Sequence, residues 1–273
     1  MKKVIFFLKF LVLFLIINAS CKSFEEYQKN QKLEREREIV EKEIEVGKSV
    51  FAKLAGKYGI IKNKEATEYL NKIGKSLALY CERVEIEYFF AILNSESINA
   101  YALPGGYILI SIGTLKNVNS EAELLGIIAH ELGHINKKHI LKNVKIEVRP
   151  NFFEILARFL AGPRNVVTVA INQISNKIEE TLFIKGLDKD DEYEADSYAV
   201  NLLKLWNIEQ KSYVEFLKRL NNNEDTKKMQ ELYATHPDFN SRIDKLNQII
   251  DNNSKSKRDS DEFIKFKNII NNL

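Results

Sequence analysis

Histidine is scarce in this chain, with four among 273 residues. Three of the four, His130, His134 and His139, crowd into one short window. An excess of charge is missing too: 41 Lys and Arg stand against 38 Asp and Glu. No basic footprint therefore points to a nucleic-acid partner. No apolar run reaches the about 20 residues that a membrane-crossing helix needs. The stretch at residues 4–17 is too short and carries Lys9. No period of 20–50 residues repeats, which excludes a solenoid or a helical repeat array. The two cysteines, Cys21 and Cys81, allow at most one disulfide between them.

What the chain does have is concentrated in the histidine window, which reads His130-Glu131-Leu132-Gly133-His134. On a helix, residues four apart lie about 40° apart around the axis and one turn along it. Both imidazoles then project from one face toward a single metal ion, with the glutamate beside them. The surroundings predict that helix over 120–139. Ser120-Glu121-Ala122-Glu123 has the form of a capping box. Leu124, Leu125, Ile127, Ile128 and Leu132 supply a buried surface, with no proline before Pro150. His139, nine residues after His130, falls on nearly the opposite face and is not counted as a ligand.

A catalytic zinc takes three protein ligands and leaves a fourth position for water. The third is then His236 or a carboxylate from another element. The best carboxylate lies in Asp191-Glu192-Tyr193-Glu194-Ala195-Asp196, ahead of apolar Tyr198, Ala199, Val200, Leu202 and Leu203. Glu192 and Asp196 share a helical face one turn apart. Glu192 is placed to bind the metal, and Asp196 to accept the free ring N–H of a ligand histidine.

These two motifs follow Asn99-Ala100-Tyr101-Ala102-Leu103-Pro104-Gly105-Gly106. Together the three resemble, in kind and order, one metalloprotease family. It contains the CAAX prenyl proteases, the heat-shock membrane protease and the periplasmic beta-barrel-assembly-enhancing protease. The resemblance runs over about residues 45–246 and is nearest to the soluble, periplasmic and lipoprotein branch. It implies an α+β, mostly helical, zincin-like gluzincin domain with a small β-sheet whose edge strand lies beside the zinc helix. It implies one Zn2+ per chain bound by His130, His134 and Glu192, with Glu131 as catalytic base and Asp196 as supporting carboxylate. Thr235-His236-Pro237, followed by Arg242, resembles the family's C-terminal His-Pro element. His236 is expected to stabilise the oxyanion, or to occupy the open zinc position and hold the enzyme latent.

Residues 84–92 place Val84, Ile86, Tyr88, Phe90 and Ile92 at period two and predict a strand. A second strand, Tyr107–Ser111, follows a turn at Pro104-Gly105-Gly106. By the resemblance this second strand lies at the sheet edge beside the metal. An unfolded polypeptide substrate adds to it there as a further strand. The expected reaction is peptide-bond cleavage by a zinc-activated water. Glu131 takes the water's proton and passes it to the leaving amine. Further helices are predicted at 64–80, 152–161, 166–185, 191–206, 208–222 and 238–250. The apolar stripes of 152–161 and 166–185 mean core packing first. The resemblance adds a lid or a membrane contact, so deleting 165–185 is expected to change substrate access.

Residues 1–20 read as a secretory signal, with basic Met1-Lys2-Lys3 ahead of the short apolar stretch. Asn18-Ala19-Ser20-Cys21 resembles a bacterial lipobox, apart from Asn18 where an aliphatic residue is usual. Cys21 is expected to carry lipid, which leaves Cys81 a lone thiol. An ordinary signal-peptidase cut near Ser20 is the alternative and permits a Cys21–Cys81 disulfide in an oxidising periplasm. Residues 21–46 read as a charged helical tether. Residues 47–250 read as the metallopeptidase domain, and 251–273 as a polar tail, disordered over 251–261, with a short terminal helix. The expected protein is a lipid-anchored periplasmic endopeptidase for unfolded or misassembled envelope proteins. The alternative is a chaperone-like outer-membrane assembly factor with a latent, regulatory zinc site. The intact Glu131 favours the first, because a structural zinc has no need of it.

Overall fold

The computed structural model describes residues 2–144, 164–251 and 259–273. The chain opens with α1 (Lys2–Tyr58) and α2 (Lys64–Ala78), then β1 (Phe89–Leu93), β2 (Ala100–Leu103), β3 (Tyr107–Ser111) and the short α3 (Ile112–Asn117). Next come α4 (Glu121–Asn136), α5 (His139–Asn143), α6 (Arg164–Glu180) and α7 (Lys189–Leu205). The last helices are α8 (Gln210–Asn221), α9 (Thr226–Thr235), α10 (Phe239–Ile249) and α11 (Asp261–Asn271). The fold is mostly helical around one small sheet, as the resemblance implies. The predicted helices at 64–80, 191–206, 208–222 and 238–250 match α2, α7, α8 and α10 to within two residues at either end. The helix predicted at 152–161 lies outside the described residues, as do residues 252–258 of the polar tail and the side chain of Cys21. Cys81 is a buried, free thiol.

Two strand predictions need correction. The strand expected over 84–92 begins only at Phe89. Val84 is 89% exposed, and its N–H turns back to the Glu82 carbonyl. Arg83 holds this turn by bonding Glu85 on one side and buried Glu43 of α1 on the other. Ile86 and Tyr88 still point into the core, so the alternation reports burial without ladder pairing.

The second correction concerns Tyr107–Ser111, which is the central strand and not the edge. The sheet order is β1-β3-β2, with β3 parallel to β1 and antiparallel to β2. Every residue of β3 is buried, as befits a strand with neighbours on both sides. The edge strand beside α4, the helix that carries His130 and His134, is β2. Gly105 and Gly106 make the turn between β2 and β3 with φ of 71° and 94°, a conformation other residues rarely hold. Glu43 caps that turn by accepting from the Gly105 N–H at 3.0 Å.

The helix that carries His130 and His134, α4, starts where predicted and ends early. Ser120 accepts from the Glu123 N–H at its start, and Glu123 accepts from the Asn119 N–H. At its end Lys138 takes φ 58°, which breaks the predicted 120–139 helix after Asn136 and starts α5 at His139. The 166–185 prediction likewise divides into α6 and a wide turn, Thr181–Lys185. The charged segment ahead of α2 is continuous with α1, and from Glu43 onward Val46, Val50 and Leu54 are buried in the core. At the far end, Phe263, Phe266 and Ile270 of α11 are buried, with the Phe266 ring against Tyr69 of α2.

Candidate metal centre

The site is made where α4 and α7 cross closely. Gly133 of α4 permits this approach: a Cβ there would stand 3.1 Å from the Ala195 backbone. His130, Glu131 and His134 face α7 from one side, and Glu192 and Asp196 answer from the other. All five are buried.

The ligand atoms converge. His130 Nε2 and His134 Nε2 are 2.9 Å apart, and Glu192 carboxylate oxygens lie 3.5 Å from the first and 3.4 Å from the second. Ligands about 2.1 Å from a tetrahedral zinc stand about 3.4 Å from one another. Two imidazoles and a carboxylate are also the donor types zinc takes. The ring nitrogens opposite the metal give a second test. His130 Nδ1 is 2.9 Å from Asp196 Oδ1, an ion-pair contact that is not aligned as a hydrogen bond, and His134 Nδ1 is 2.9 Å from His139 Nδ1. When each ring holds its proton on Nδ1, two bare Nε2 lone pairs face each other at 2.9 Å. A cation between them satisfies both. Burial and Arg242 push the pKa of His130 down, but Asp196 and Glu192 outweigh them and raise it to about 9. Burial, then the charge of His130, pushes His134 down and keeps it neutral.

A buried arginine supports both carboxylates. Arg242 of α10 donates from Nε and Nη2 to the two oxygens of Asp196, each at 2.8 Å, and Nη1 is 2.8 Å from Glu192. Tyr213 adds an O–H to Asp196 at 2.7 Å. Burial alone would raise both acids, yet Arg242 holds Asp196 far below its ordinary value, and His236 with Arg242 does the same for Glu192. Both therefore stay ionised, which a metal ligand and an imidazole acceptor require.

Glu131 differs in kind. Its Oε2 is buried with no protein partner, and burial raises its pKa against the charges of His236 and His130. His236 lies in the loop after α9, with Nδ1 3.1 Å from both Glu192 oxygens and Nε2 3.9 Å from Glu131. It joins His130, His134 and Glu192 in one four-residue group. Thr235 fixes the loop by donating to Asn99 Oδ1 at 3.2 Å. Asn99 accepts from the Ala100 N–H with that same oxygen, which leaves its buried Nδ2 without an acceptor in a cavity shared with Glu131 and His236.

The outer side of β2 is covered. Thr181, Leu182 and Leu187 line a narrow slot opposite Ala100–Ala102 and next to Glu131 and His134. The Phe183 ring sits 5.5 Å from Tyr101 and 6.3 Å from Tyr58, with Lys57 over its face at 4.0 Å.

The structure thus brings together His130, Glu131, His134, Glu192, Asp196 and His236. Sequence reasoning names Arg242 only as following the His-Pro element and gives it no role, and it misses Tyr213, the part played by His139 and the donor of Asn99. For Arg242 a signal existed: it lies on the apolar stripe of Phe239, Ile243 and Leu246, where an unpaired charge is costly. His139 gave none, because its position depends on the left-handed Lys138.

Among the described residues no helix is long and apolar enough to cross a membrane. The sequence pattern of peptidase family M48 matches residues 64–250. The beta-barrel assembly-enhancing protease of Escherichia coli K12 is 22% identical over 208 residues, covering 74% of this chain and 42% of that protein. Metalloprotease LoiP of the same organism is 25% identical over 52% of this chain and 54% of its own length. The mitochondrial metalloendopeptidase OMA1 of Bos taurus is 24% identical over 61% of this chain and 33% of its length. The chain spans about two fifths of the length of the beta-barrel assembly-enhancing proteases it matches.

Proposed function

The chain belongs to peptidase family M48, and from that membership and the site's geometry we propose that it is a zinc endopeptidase cutting unfolded or misassembled envelope polypeptides. One observation carries the reading: three ligand side chains converge beside a buried glutamate whose Oε2 has no protein partner. A structural zinc site is closed and needs no such base.

His130, His134 and Glu192 would hold the zinc, which would supply Lewis acidity to a water and to the scissile carbonyl. Glu131 takes the water's proton and delivers it to the leaving amine. Asp196 fixes the tautomer of His130, and Arg242 keeps Asp196 and Glu192 charged. His236 faces the same centre, where it would donate to the oxyanion or itself bind the metal at rest.

The substrate lies extended along the outer edge of β2, Ala100–Leu103, and adds to the sheet there. Asn99 Nδ2 offers it a desolvated donor, and a buried donor left unmatched costs about 1–3 kcal/mol. Recognition through main-chain bonds selects for locally unfolded chains. A lipid on Cys21 would hold the domain at a periplasmic membrane surface through the charged residues 21–46 of α1.

The covered edge and the position of His236 favour a latent resting form, with Thr181–Leu187 moved aside before a substrate enters. Phe183→Ala removes the ring held by Tyr58, Tyr101 and Lys57. It is expected to speed cleavage of a short unstructured peptide several-fold at unchanged zinc content. An unaltered rate would show that this segment is not the barrier.

The primary test uses the purified chain and a denatured protein substrate. Cleavage is expected with zinc, absent after chelation, and recovered on adding zinc back. Cleavage that persists in the stripped protein would sink the zinc-peptidase reading. Zinc bound tightly with no cleavage, even in the Phe183→Ala variant, would favour the assembly-factor reading.

A further inference from the structure

His139 is fully buried, and both of its ring nitrogens are engaged. Nδ1 stands 2.9 Å from His134 Nδ1, and Nε2 stands 3.0 Å from Glu194 Oε2 and 3.5 Å from Asp191 Oδ1. The turn at Lys138 is what brings this ring back to the zinc helix after the chain has left it. Asn143 of α5 donates to Asp191, so a second contact ties the same short helix to α7.

His139, Asp191 and Glu194 also have the makeup of a second cation site. The position of the protons decides between the two roles. Two ring nitrogens 2.9 Å apart need one proton between them: two lone pairs repel, and two N–H groups collide. If His134 Nε2 binds a metal, its neutral ring carries the proton on Nδ1. His139 Nδ1 is then the acceptor, and the His139 proton sits on Nε2, where Glu194 receives it. A metal on His139 Nε2 would shift that proton to Nδ1 and set N–H against N–H. A metal on His134 therefore excludes one on His139.

Resting on the proposal that His134 is a zinc ligand, we infer that His139 is a positioning residue that fixes the tautomer and ring plane of His134 from α7 through Glu194 and Asp191. Both ligand imidazoles are then steered by α7: His130 directly by Asp196, His134 at one remove. The same helix supplies the third ligand, Glu192, so one rigid element sets all three. Outer partners of this kind are worth on the order of 10- to 100-fold in metal affinity.

The test reads metal and protons rather than cleavage. Zinc content and competition against a chromophoric chelator are measured on the full chain and on two variants. His139→Leu removes the acceptor and is expected to weaken zinc binding on the order of 10- to 100-fold. His139→Asn sets a carbonyl oxygen close to the place of Nδ1, keeps the acceptor, and should recover most of that loss. Nitrogen-15 shifts of the zinc-loaded parent should place the ring proton on Nδ1 of His134 and on Nε2 of His139. They decide the matter even if the leucine variant does not fold. A second zinc per chain that His139→Asn abolishes would overturn the inference. So would a proton on Nδ1 of His139, or equal loss of affinity in both variants. A parent that binds no zinc would overturn the metallopeptidase reading as well, whereas a zinc-binding parent indifferent to His139 would remove only this inference.

Discussion

Glu131→Gln is expected to keep its zinc and lose cleavage by about 10²–10⁴-fold in kcat. Gln has the shape of Glu and leaves His130 and His134 undisturbed, so the loss reports proton transfer alone. The side chain is buried and makes no hydrogen bond through Oε2. Burial lifts its pKa, toward the range where a carboxylate both takes and returns a proton. The decisive measurement is single-turnover cleavage of a denatured protein at matched zinc content. A rate equal to the parent's would remove Glu131 from the chemistry and take the peptidase reading with it. A variant that loses zinc would instead show that Glu131 helps to build the site.

Arg242→Met is expected to cost about 3–5 kcal/mol of stability in the metal-free protein. The guanidinium is almost fully buried and makes ion-pair contacts to both Asp196 and Glu192. Without it, two ionised carboxylates remain in the core with only histidines and the Tyr213 hydroxyl to answer them. Urea unfolding should show a lower midpoint at a similar slope, since the surface exposed on unfolding hardly changes. Zinc should restore part of the loss, because it binds the folded chain and neutralises Glu192. Arg242→Lys should fall between the two, as a single ammonium cannot fork across both acids. A methionine variant as stable as the parent would show that the carboxylates find their counter-charge elsewhere.

Local rules carried the sequence reading a long way, and long-range pairing marked its limit. His130 with His134, and Glu192 with Asp196, each obey a four-residue spacing that a helix turns into a shared face. The capping serine at position 120 and the stripes of α2, α8 and α10 are legible for the same reason. Ala100-Tyr101-Ala102-Leu103 shows no alternation because all four residues are buried. Its pairing with β3 was therefore invisible, and Tyr107–Ser111 was expected at the edge that β2 takes. The alternation over 84–92 misled in the opposite sense, since core contacts buried Ile86 and Tyr88 without a ladder. Tyr213 and Arg242 act through contacts with Asp196 that no local spacing encodes.

The centre joins parts of the chain made at different times: Arg242 follows His130 by 112 positions. At about 5–20 residues per second of synthesis, roughly 6–22 s separate the histidine pair from the arginine that anchors its carboxylates. Throughout that interval the growing chain holds the HExxH helix without a complete site. The late arrival of α10 means that Asp196 and Glu192 gain their guanidinium only after both helices that bear the ligands have been made.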